Sequence, residues 1–67
     1  MNVKFPNVKV KLVGEDGNIF SIIGRVSRAL RHGGATEEQV KEYQNAIMLS
    51  DSYDKALQTT MSWVDVE

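Results

Sequence analysis

His32 is the only histidine in the chain, and there is no cysteine. A nucleophile activated by that imidazole would have to be Ser21, Ser27, Ser50, Ser52 or Ser62. None of the five sits in the glycine-flanked elbow that exposes a nucleophilic serine between a strand and a helix. His32 follows Arg31 and precedes Gly33-Gly34, the setting of a basic residue at the negative end of a helix dipole. No catalytic residue can be assigned, and the chain is not expected to be an enzyme.

Glu15, Asp16 and Asn18 are oxygen ligands in the glycine-containing run Gly14-Glu15-Asp16-Gly17-Asn18. Their spacing does not fit the twelve-residue calcium loop, and no glutamate stands at its closing position. A phosphate would meet two repelling carboxylates there, without the Gly-Lys-Ser/Thr or three-glycine signature. A turn followed by a helix cap accounts for all five residues, so no metal and no other cofactor is expected.

Charge offers more. The chain is nearly neutral at −1, but residues 1–34 hold six basic and two acidic side chains, and residues 35–67 hold two basic and seven acidic. Arg25, Arg28 and His32 follow i, i+3, i+7 spacing with Arg31 beside them, which gathers them on one helical face. Lys9 and Lys11 point outward from the preceding strand. These six residues are the candidate partner or nucleic-acid contacts. Arginines along a helix can follow a phosphate backbone with counterion release, or pair bidentately with carboxylates of a protein. They can equally pair with acids of the other helices in the same chain.

The elements that would position these groups follow from periodicity. Val8-Lys9-Val10-Lys11-Leu12-Val13 alternates apolar with charged, the mark of a strand buried on one face. Residues 1–7, with Pro6, read as a loosely held lead. Asp16-Gly17 could open a hairpin, yet Ile19, Ile22, Ile23, Val26 and Leu30 form a helical stripe. Asn18 serves as its N-cap and Gly33-Gly34 as its stop. Thr36-Glu37-Glu38-Gln39 is a capping box opening a second helix, with Val40, Tyr43 and Ile47 as the apolar face and Ala46 and Met48 supplementing it. Ser50-Asp51-Ser52 caps a third, on which Tyr53, Leu57, Met61 and Val64 recur every three or four positions, with Ala56 and Thr60 beside them.

Trp63-Val64-Asp65-Val66 reads either as the last helical turn or as a short strand. A lone first strand leaves its backbone groups unpaired, which favours a strand here. The expectation is one α+β domain over residues 1–67: a short N-terminal strand, three helices and a C-terminal strand pairing with the first (β-α-α-α-β).

A chain of this size buries little surface alone, and Phe5, Phe20, Met48, Leu49 and Trp63 fall off or beside the apolar stripes. A non-enzymatic interaction module is therefore expected, binding a protein partner or a second copy through a helix face. Weak nucleic-acid binding by the basic face is the alternative. No run spans the roughly 18–20 apolar residues of a membrane helix, and the N-terminus lacks a secretory core. No membrane partner is expected, and the location is expected to be cytoplasmic.

Val10-Lys11-Leu12-Val13-Gly14-Glu15-Asp16-Gly17-Asn18 resembles the opening of small uncharacterised proteins of bacteria and their phages or mobile elements. Ile23-Gly24-Arg25-Val26, Ala29-Leu30-Arg31 and Trp63-Val64-Asp65-Val66 are similar to later segments of those proteins. The resemblance spans most of the chain and implies a phage or prophage accessory protein, with no activity or residue role attached.

Overall fold

Two parallel strands, β1 (Phe5–Val10) and β2 (Val64–Val66), place Lys9 opposite Asp65 and Val10 opposite Val66. Between them run α1 (Ile19–His32), α2 (Glu37–Met48) and α3 (Tyr53–Trp63). The computed structural model describes residues 3–12 and 18–67. Parallel neighbours cannot be joined by a tight hairpin, so the three helices form the crossover. The β-α-α-α-β order is as expected. Residues 13–17, assigned above to the strand end and the turn, lie outside the described residues.

The first strand starts earlier than its alternation suggests. Lys4 N–H donates to the Ser62 carbonyl at 3.1 Å, and the Phe5 ring stacks on Trp63 with centroids 6.1 Å apart. Pro6 falls where the register is irregular, between Phe5 and Lys9, a position that tolerates a missing donor. Val8 and Val10 face the core while Lys9 is exposed. Backbone pairing continues past the strands, through Glu67 N–H to the Val10 carbonyl at 2.8 Å and Leu12 N–H to the Glu67 carbonyl at 3.3 Å.

The cap of α1 is the expected one, with Asn18 accepting from Phe20 N–H at 2.8 Å. Ile22, Val26 and Leu30 are buried, and Ile19 and Ile23 pack beside the core. The two closing glycines have different reasons. Gly34 takes the left-handed backbone (φ +96°). Gly34 N–H donates to Arg31 at 3.2 Å and Ala35 N–H to Leu30 at 2.9 Å, closing a Schellman motif. Gly33 has an ordinary φ of −83°, but a Cβ there would collide with Val8 Cγ2. Its missing side chain lets β1 lie against the end of α1.

In α2 both bonds of the capping box form, Gln39 N–H to Thr36 Oγ1 at 3.1 Å and Thr36 N–H to Gln39 Oε1 at 2.9 Å. Val40, Tyr43 and Ile47 are its buried face. Ser27 of α1, off the apolar stripe, is buried against this helix and accepts from Gln44 Nε2 at 3.0 Å.

The third helix departs from expectation. Its buried stripe is Ala56, Thr60 and Trp63. Tyr53 and Met61 are exposed and Leu57 is half-buried. Adjacent stripes differ by about 100° of rotation, and this rotation buries the largest side chain in the chain. The Trp63 ring meets Tyr43 edge-on at 5.7 Å and lies under Lys4 Nζ at 4.2 Å. Small Ala56 and Thr60 let α3 approach Tyr43. Val64 has extended backbone and starts β2 without a loop, so of the two readings of residues 63–66 the favoured strand is the one formed, beginning one residue later because Trp63 still belongs to α3.

Thr60 gives its hydroxyl proton to the Ala56 carbonyl (3.0 Å), so across the 2.9 Å contact Tyr43 is the donor to Thr60 Oγ1. Burial pushes the Tyr43 phenol from 10.0 up to about 12. The native state thus keeps its proton at a pH where the unfolded chain has lost it. Stability should not change through this group below about pH 10. It should then fall by about 1.4 kcal/mol per unit until the native phenol also titrates. Tyr43→Phe is expected to cost about 1 kcal/mol at neutral pH and to abolish that alkaline loss. Urea unfolding of both forms between neutral and strongly alkaline pH checks it, and identical profiles would contradict the buried donor.

Candidate interaction surfaces

The basic face of α1 is only partly available. Arg31 is bound bidentately by Glu37 at the start of α2, Nε to Oε2 at 2.8 Å and Nη2 to Oε1 at 3.2 Å. The guanidinium, mainly through its hydrogen bonds, holds the Glu37 carboxyl below its usual range. Arg25 is exposed but already engaged. Arg28, His32, Lys9 and Lys11 are exposed, and among the described residues none of them enters an ion pair. Lys9 and His32 share a shallow recess with Asn7, Val8, Ala29 and Gly33. Fold geometry therefore joins two of the six candidates in one recess and removes Arg31 to a neighbour's carboxylate.

Apolar surface is concentrated elsewhere. Of the five off-stripe residues, Trp63 belongs to the core and half-buried Phe5 packs against it, while Phe20, Met48 and Leu49 are exposed. Leu49 ends α2 and stands 85 % exposed in the turn to α3, and Met61 on α3 is 56 % exposed. Both line a groove of about 870 Å³, together with Val3 beside β1 and Gln58 on α3. The charges in its wall are Asp51 and Lys55, one turn apart and paired at 3.2 Å.

No protein-family model, curated protein or solved structure matches this chain.

Among the described residues no helix is long and apolar enough to cross a membrane. The groove sets Val3, Leu49 and Met61 among polar Ser50, Gln58, Thr59 and Ser62, with one cation and one anion that offset each other, so it carries no excess positive charge for a phosphate backbone. Met61 and Tyr53, expected on the apolar stripe of the third helix, are exposed because α3 carries two overlapping stripes and buries the other one. The signal was present in Ala56, Thr60 and Trp63 at i, i+4, i+7, the stripe that ends on the largest side chain.

Proposed function

We propose that this chain is a non-enzymatic interaction module that binds protein through the Leu49–Met61 groove. A cytoplasmic setting and a phage or prophage accessory role belong to the same proposal, the latter resting on the sequence resemblance. One observation carries it: Leu49 and Met61 stay largely in water although eleven apolar side chains among the described residues are buried in a core. Solvated apolar side chains that share a concave wall are a feature of interaction sites. Weak nucleic-acid binding is the second reading, favoured by exposed Arg28, Lys9 and Lys11 but weakened by the Arg31–Glu37 pair.

Photo-crosslinking separates the two. A photoreactive phenylalanine analogue at Gln58, in the groove, should give a protein adduct in the native host. The same group at Arg28 should give none, and an adduct with nucleic acid there would favour the second reading. Equal labelling from Gln58 and from exposed Glu38 on α2 would remove the groove as the binding site.

A further inference from the structure

The outer edge of β1 is a second surface, independent of the Leu49–Met61 groove. Glu67 N–H donates to the Val10 carbonyl, and Leu12 N–H to the Glu67 carbonyl. Backbone groups of successive strand residues point to opposite sides of the strand, so Val10 and Leu12 face β2 while Lys9 and Lys11 face away from it. Among the described residues nothing pairs with the Lys9 or Lys11 backbone on that side. Such an edge is a template for one more strand.

Two features of the edge specify what it takes. On the face turned to solvent, Lys9 and Lys11 are exposed and enter no ion pair among the described residues. Two copies paired edge to edge would set lysines against lysines. Acids on an added strand would instead stand beside them, as Asp65 of β2 stands beside Lys9 on the other side. On the face turned to the core, the recess of about 290 Å³ runs between Asn7, Val8 and Lys9 and the end of α1. No residue of β2 lines it, so it lies on the open side of the strand. Its floor is buried Val8 and half-buried Ala29, and its rim is exposed Asn7, Lys9 and His32. Gly33 adds no side chain to fill it.

Side chains of a strand alternate between its two faces, so a segment that suits both faces alternates acidic with apolar residues. The partner that β1 already has, Val64-Asp65-Val66-Glu67, shows this pattern, with its acids exposed and its valines buried or half-buried. We infer that the free edge of β1 binds an extended segment of a partner protein in which acidic and short apolar residues alternate, its acids beside Lys9 and Lys11 and an apolar side chain in the recess against Ala29.

A fluorescein-labelled peptide repeating Val-Asp-Val-Glu is the probe. Its fluorescence anisotropy should rise on titration with the whole chain, and a peptide with lysine in place of both acids should not bind. In the complex the Lys9 and Lys11 amides should exchange with deuterium about tenfold more slowly or less still, because they gain acceptors. Lys9→Gln combined with Lys11→Gln, both at exposed positions, should weaken binding about tenfold with an unchanged circular dichroism spectrum. Strand pairing is separated from charge attraction by N-methylation. Only every second peptide N–H faces β1, so peptides methylated on the valines or on the acids should differ in affinity by about tenfold or more. Equal affinity of those two, unchanged exchange at Lys9 and Lys11, or no binding of the unmodified peptide would each overturn the proposal. A single-stranded oligonucleotide that displaces the peptide and binds more tightly would overturn it in favour of nucleic acid.

Discussion

Trp63→Ala is expected to leave this domain largely unfolded at 25 °C. Trp63 is only 4 % exposed and touches two distant parts of the chain: the start of β1, through stacked Phe5 and the neighbouring Lys4 over its face, and α2 through Tyr43. Truncating a buried aromatic costs about 3–5 kcal/mol, because transfer energy is lost and a cavity remains. A domain of 67 residues has a total stability of roughly 3–10 kcal/mol on the usual per-residue scale. The loss is therefore comparable with the whole, and far-UV circular dichroism with urea titration should show it. Met61→Ala on the same helix, at an exposed position, should change stability by no more than about 0.5 kcal/mol. Equal losses at the two positions would overturn the assignment of the buried stripe.

Gly33→Ala should destabilise by about 1–3 kcal/mol, the usual range for forcing an extra methyl into a packed site. Backbone strain has no part in this, since φ at Gly33 is −83°. The methyl would strike Val8 Cγ2 and push β1 away from α1. Gly24→Ala supplies the contrast. That residue lies inside α1 with open space around it, so alanine should stabilise the helix by about 0.5–1 kcal/mol through propensity alone. Thermal melts of the two variants should move in opposite directions. A gain at Gly33 would mean that β1 does not rest on the end of α1.

Much of this architecture was legible without coordinates. Asn18, Thr36 with Gln39, and Ser52 each cap the helix they precede, because a capping bond spans only two or three residues. Ile22, Val26 and Leu30, and likewise Val40, Tyr43 and Ile47, face the core as their spacing requires. The need of β1 for a backbone partner pointed to the last residues of the chain, and β2 lies there. For the candidate site the sequence named Leu49 and Met48 among the residues off the stripes, and raised the local pairing of arginines that Arg31 and Glu37 display.

Tertiary structure decided what local pattern left degenerate. On α3 two apolar stripes one position apart are equally periodic. Only the space beside Tyr43 and Phe5 selects the one that ends on Trp63. That choice turns Met61 outward and, with Leu49, creates the groove. Phe5 packs against the core for the same reason, since its stacking partner lies 58 positions along the chain. Caps and helical periods are set by bonds between near neighbours in sequence and can be read from residue types. Which of two faces is buried depends on the volumes and polar groups of elements brought together from opposite ends of the chain, and that is settled only when they pack.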